Sequence, residues 1–351
     1  MINQPRWEEV KSRMLAYWNR ENTDRCCYAM RVKKPGFEDF GEYNFYFETE
    51  RADAMHRGRF ENHDYLGEAF PCLFPYFGTA GIAEYTGCKP NRTPRTTWYD
   101  HWMADADEPD AELIGFTHPE AFEAQKQAIR ELLELSKGDY TVSVTDNAGV
   151  LDALAEVRGT ENLMMDMITD PDFVHEGLNK LLPIYKQTQE ELFSLVENNN
   201  DGCVLSWMQL WAPKRIAQLQ CDMCVMLSNE MFDEFVMPEL EELCEFLDYP
   251  VYHFDGQEQI RHLDSMLRIE KLRAIQWTPV AGQSKTSTCI PVLQKIQKAG
   301  KNLILFPQAD EIEVLLDNLS CVGLHLVIDG ISSEEEAQRI VKLIETHSKV
   351  R

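Results

Sequence analysis

Short apolar runs recur along the chain, and each is followed by a turn-forming stretch and then by hydrophobic positions spaced three or four apart. A β-rich run followed by a 3.6-period pattern is the sequence form of a βα unit. Eight such runs stand out: CCYAMRV (26–32), AFPCLFPYF (69–77), YTVSVTD (140–146), GCVLSWMQL (202–210), YPVYHFDG (249–256), RAIQWTP (273–279), NLILFPQ (302–308) and GLHLVIDG (323–330). Eight strands alternating with helices favour closure over an open doubly wound sheet. The expected fold is therefore α/β, a closed (β/α)8 TIM barrel. With no internal repeat, low-complexity tract or linker, residues 1–351 read as one domain.

The intervening helices have support of their own. Val174, Leu178, Leu181, Tyr185, Leu192 and Val196 step by three or four, with one double step, and predict one buried stripe. Asp170 and Pro171 suit the N-cap and first helical position, and Ser332 with Glu335 reads as a capping box near the end of the chain. The aromatic, turn-rich segment 78–118 is expected as an excursion over one barrel mouth. Within it Trp98 and Trp102, one helical turn apart, read either as part of a lid or as a packing stripe.

Composition narrows the partners. The chain carries 34 Lys plus Arg against 59 Asp plus Glu, a formal charge of −25, which opposes nucleic-acid phosphates and anionic lipid. A small-molecule substrate fits this balance better, and a homodimer is compatible with it. No run approaches the roughly 18 apolar residues of a membrane span, and the opening MINQPRWEEV lacks the basic-then-apolar order of an export signal. A cytoplasmic protein is expected. Its ten cysteines then read as reduced thiols, most of them in apolar runs, with Cys221 and Cys224 forming a CxxC that lacks a second pair at zinc-finger spacing.

In a (β/α)8 barrel, functional groups gather at the C-terminal ends of the strands, where the βα loops converge. The strand ends supply Asp146 and Asn147, Trp207 and Gln209, His253 and Asp255, Gln276 and Trp277, Gln308, and Asp329; Asp222 follows the fourth run. Together they predict a polar pocket with aromatic walls. His253 and Asp255 sit two apart in one strand and so share a face. Three readings of the pair stay open: a catalytic or substrate-binding pair, two ligands of a metal, and a structural pair satisfying loop amides. Trp277 reads either as a pocket wall or as core.

The stretches QCDMCVMLSNEMFDEFVMPEL, YHFDG and RHLDSMLRIEKLRAIQWTPVAGQ resemble the uroporphyrinogen decarboxylase superfamily, in the branch near the corrinoid methyltransferases. The likeness extends more weakly to both ends. It implies a (β/α)8 barrel, in agreement with the run count. The decarboxylases of that superfamily carry an arginine-rich, glycine-containing stretch after the first strand, whereas this chain continues as MRVKKPGFEDF. The methyltransferases bind zinc through a His-x-Cys and a late Cys, and the metal ionises a thiol that accepts a methyl group from a methylcorrinoid carried on a partner protein.

Carried onto this chain, His253 stands at the first ligand position, Asp255 replaces the Cys, and Asp329 lies near the third, with Cys321 at the wrong end of its strand. The resemblance thus implies methyl transfer in corrinoid-linked one-carbon metabolism. Asp222 and Asp255 would orient or deprotonate substrate, and His253 would act as acid, base or ligand. Trp207, Gln209, Gln276, Trp277, Gln308 and Asp146 would line the pocket. Zinc on His253, Asp255 and Asp329 is one expectation and a site without tightly bound metal the other, because this oxygen-rich set is harder than one with two thiolates. The alternatives are decarboxylation of a porphyrinogen-like or smaller carboxylic acid, and a non-catalytic ligand-binding barrel.

Overall fold

A computed structural model describes residues 4–41, 43–279, 282 and 285–351. The first three residues of the opening MINQPRWEEV, and Val280, Ala281 and Gln283 of the RAIQWTPVAGQ stretch, lie outside the described residues. The strands are β1 (Cys27–Lys33), β2 (His63–Gly67), β3 (Cys72–Leu73), β4 (Lys89–Arg92), β5 (Thr97–Asp100), β6 (Thr141–Val142), β7 (Cys203–Leu205), β8 (Leu210–Ala212), β9 (Ile216–Leu219), β10 (Tyr249–Asp255), β11 (Ala274–Thr278), β12 (Asn302–Leu305) and β13 (Leu324–Ile331).

Each of the eight expected runs contains a strand. Seven strands form one sheet in the order β2-β1-β13-β12-β11-β10-β9. Every neighbour in it is parallel except β2, which runs antiparallel to β1 on the edge. The remaining pairs are β3 with β6 and the antiparallel hairpins β4-β5 and β7-β8. The fold is therefore α/β with a mainly parallel sheet, and among the described residues the backbone ladders do not join into a single ring.

The breaks have local causes. Pro71 and Pro75 flank β3 and offer no N–H, which limits its ladder to two residues. At β6 the Asn200 amide takes both the Val142 N–H and the Val142 carbonyl, at 3.1 and 2.8 Å, where another strand would pair. Side chains bridge these pieces instead: Ser143 Oγ donates to the Val204 carbonyl at 3.1 Å, and Ser206 Oγ to that of Cys72 at 3.5 Å.

The fourth run behaves differently from expectation. β7 ends at Leu205, and the chain folds back through a turn closed by Gln209 N–H to the Ser206 carbonyl, with Gln209 at φ +50°. The strand that pairs with β10 is β9, in the stretch KRIAQLQ, which its two charges and two glutamines hid from the hydrophobic count.

The helix Pro171–Asn200 forms as the stripe predicts, with all six stripe residues buried and the Asp170 side chain accepting from Phe173 N–H. The last helix, Glu334–His347, is capped by Ser333 accepting from Glu336 N–H, one residue later than the Ser332/Glu335 reading. Segment 78–118 contributes a short helix (Gly81–Tyr85) and the β4-β5 hairpin. Trp98 therefore lies on a strand rather than a helix and is 68% exposed, which removes the packing-stripe reading. Among the described residues no helix is long and apolar enough to cross a membrane, and all ten cysteines are free and buried.

Candidate functional site

Because β9 to β13 and β1 run parallel, their C-terminal ends lie on one side of the sheet. At that side β10 ends on His253 and Asp255. The strand alternates as its sequence requires: Tyr252 and Phe254 are fully buried, and His253 and Asp255 are half-buried on the opposite face. Gly256, at φ +92°, turns the chain away in a conformation that a side chain would strain. The pair is thus left at the mouth.

Asp222 joins them from the loop after β9. Its position is set by Asp152, on the helix Val150–Arg158, whose carboxylate accepts the backbone N–H of Asp222 at 2.8 Å and of Met223 at 3.1 Å. That helix start is held by Glu239, which accepts from Val150 and Leu151 N–H at 3.0 and 3.1 Å. As a result one ligand atom each from Asp222, His253 and Asp255 lies within 4.8 Å of the others.

Neighbouring strands orient the group. Gln276, in register beside His253, is fully buried, and its amide oxygen accepts from His253 Nδ1 while its Nε2 donates to Thr278 Oγ1. With the proton held on Nδ1, His253 Nε2 keeps a lone pair for a proton or a metal. Trp207 meets the His253 ring edge-on at 5.4 Å and stacks on Phe306 at 5.5 Å. A hydrogen-bonded chain then runs from Trp207 Nε1 to Gln218 (2.7 Å), from Gln218 to Asp146 (3.1 Å) and Gln220 (2.8 Å), and from Gln220 to Asp222 (3.3 Å).

The electrostatics are those of crowded carboxylates. Among the described residues none of Asp146, Asp152, Asp222 and Asp255 pairs with Lys or Arg. Burial pushes Asp146 up to about 6, with the Ala148 N–H opposing and the charge of Asp152 adding to the rise. Asp222 is raised by desolvation first, then by the charges of Asp152, Asp255 and Asp146, against the Gln220 amide. Its solvent-exposed edge tempers that rise. A cation placed among these groups would relieve the repulsion.

Three expected site residues fall elsewhere. Trp277 is fully buried and stacks on Phe254 at 5.1 Å, so it is core; neighbours on a strand face opposite ways, and Gln276 already takes the inward face. Gln209 is spent within the β7-β8 turn, accepting from Phe70 N–H and donating to the Ser206 carbonyl. Gln308 is an exposed loop residue whose N–H is held by Glu311. Asp329 is at the same side of the sheet but forms a two-pronged ion pair with Arg31 and is not part of the Asp222–His253–Asp255 group. Asn147 is buried, and its two side-chain polar atoms have no partner among the described residues. The residues missed, Gln218 and Gln220, were legible as a period-two polar stripe that ends on Asp222.

No protein-family profile matches the chain, and no curated protein matches it. Among solved structures it is similar to a methyltransferase from Methanosarcina mazei, with a TM-score of 0.61 over 96% of this chain and 98% of that one. The sequences are 14% identical. The likeness is one of fold.

Proposed function

We propose that this protein is a cytoplasmic methyltransferase of the uroporphyrinogen decarboxylase-like superfamily. In this reading it is one barrel domain over residues 1–351, closed through the side-chain bridges around β3, β6 and β7, with segment 78–118 over its mouth. The methyl donor is a methylcorrinoid carried on a partner protein. The observation that carries the reading is the convergence of Asp222, His253 and Asp255 at the strand ends of a fold shared with a methyltransferase.

The donor set fits a divalent cation: one imidazole nitrogen and two carboxylates, with no thiolate among them. Asp222 and Asp255 replace the two cysteines, and Asp222 rather than Asp329 completes the set. When bound, such an ion lowers the pKa of a thiol or hydroxyl on the acceptor. The chain's own groups do the rest. Gln276 keeps the His253 proton on Nδ1, and Asp222 and Asp255 would hold the ion, the acceptor's proton passing to water at the exposed side of Asp222. Trp207 walls the space beside His253. In the transfer the acceptor's electron pair forms the new bond to carbon, and the cobalt–carbon pair stays on cobalt.

Anaerobic incubation with free methylcobalamin, 2-mercaptoethanol and added Zn²⁺ or Mn²⁺ tests this, read as metal-dependent formation of cob(I)alamin and the methyl thioether. Loss of that product in Asp222→Ala and His253→Ala is expected. Stoichiometric metal binding with no demethylation of methylcobalamin, alone or with a range of thiol and hydroxyl acceptors, would overturn the methyl-transfer reading.

A further inference from the structure

A cleft of about 640 Å³ is lined in part by Trp207 but not by Asp222, His253 or Asp255. Its size is that of a pocket for an organic molecule, in the range of about 300–1,000 Å³. Phe40, Phe74, Tyr76 and Trp207 give it flat apolar walls. Arg31 and Lys33 at the end of β1 and Arg59 on the helix Thr49–Glu61 give it cations.

The cations are fixed rather than consumed. Arg31 is clamped by Asp329, and Arg59 by Asp39 and the Gly41 carbonyl, with its guanidinium 3.7 Å above the Phe40 ring. In both, Nε and Nη2 make these bonds, and Nη1 has no protein partner among the described residues. Lys33 is exposed and likewise has none there. Among the described residues that line it, three cationic side chains stand against two carboxylates, in a chain whose formal charge is −25. Such a local reversal selects one anionic group.

Trp207 ties the cleft to the reaction centre, since the same indole that lines the cleft meets His253 at 5.4 Å. Between β13, which carries Asp329, and β10, which carries His253, lie three strand spacings of about 4.8 Å each, or about 14 Å along the sheet. A ligand anchored at Arg31 would lay its body against Trp207, on the way from that anchor toward His253. We propose that this cleft binds a carboxylated aromatic ring, with the carboxylate at Arg31, Lys33 and Arg59 and the ring against Trp207. As the substrate class of the proposed methyl transfer the inference rests on that reading; as a binding site it is tested without turnover.

The probes are benzoate, cyclohexanecarboxylate, which keeps the charge without the flat ring, and methoxybenzene, which keeps the ring without the charge. Binding is followed by calorimetry and tryptophan fluorescence on the full-length protein. Saturable binding of benzoate, at least about tenfold tighter than either of the others, is expected. In Lys33→Gln, and in the charge-neutral double variant Arg31→Gln/Asp329→Asn, it weakens by about tenfold or more, while the surface control Lys271→Gln binds as the unaltered chain does.

Equal binding of benzoate and cyclohexanecarboxylate would remove the aromatic ring from the proposal, and equal binding of benzoate and methoxybenzene would remove the anion. No saturation of the unaltered protein up to about 10 mM benzoate would overturn it outright. The Lys33 side chain has no partner among the described residues, so its variant reports on binding even where the double variant fails to fold. Failure of the methylcobalamin assay with benzoate binding intact would overturn the reaction and leave this site standing.

Discussion

Gln276 accepts the Nδ1 proton of His253 from the adjacent strand, in a register that sets the two residues side by side at the mouth of the sheet. This contact decides which imidazole nitrogen faces the carboxylates of Asp222 and Asp255. It also makes Gln276, which is fully buried, a positioning residue rather than a surface of the pocket.

Replacing Gln276 by Leu leaves His253 free to place its proton on either nitrogen. Divalent metal affinity, measured by Zn²⁺ or Mn²⁺ calorimetry, is expected to fall about 10–100-fold, and the imidazole ¹⁵N shifts to show mixed tautomers. Unchanged affinity together with an unchanged tautomer would remove Gln276 from the site.

Asp222 and Asp329 separate two choices of third ligand. Asp222→Ala is expected to abolish metal binding. Asp329→Ala is expected to retain it and to lower stability by no more than about 1 kcal/mol, since its pair with Arg31 is partly solvated. Because the Asp222 carboxyl is raised, protons compete with the ion, and affinity in the unaltered protein should climb as pH rises through the Asp222 titration. The opposite outcome for the two alanine variants would return the third position to Asp329.

Glu239 predicts a pH dependence of stability. Burial raises its carboxyl to about 8 from an ordinary 4.5, against the Val150 N–H and helped by the charge of Asp152. Below its ordinary range the group is protonated in folded and unfolded chains alike. As pH rises the unfolded chain ionises first, so the stability associated with this group is present at low pH and is lost as pH climbs through about 8. Thermal melts of Glu239→Gln should show a shallower fall across that window than the unaltered protein. Parallel curves would mean that Glu239 is ionised in the fold.

Trp277 is expected to matter for stability alone. Trp277→Ala should cost about 3–5 kcal/mol through the cavity left against Phe254, with metal stoichiometry unchanged in the folded fraction. Trp207→Ala should do the reverse, melting nearly as the unaltered chain does while losing ligand binding. A Trp277→Ala protein that melts normally but loses its ligand would put Trp277 back in the pocket.

The sequence by itself determined the α/β alternation, a strand within each of its eight hydrophobic runs, the long Asp170-capped helix, and the shared face of His253 and Asp255. Each of these follows from a period of 2 or 3.6 read within one element, where local geometry alone fixes which residues point together. The tertiary structure decided the rest. It chose KRIAQLQ over the end of the fourth run as the neighbour of β10, because pairing partners depend on where the chain turns back and not on how apolar a run is. It assigned Asp329 to Arg31 and brought Asp222 to His253, since a carboxylate takes whichever partner the adjoining strands and loops carry to it. It also faced Gln276 inward and Trp277 outward. One residue of register separates a site residue from core, and that register is set by the strands on either side.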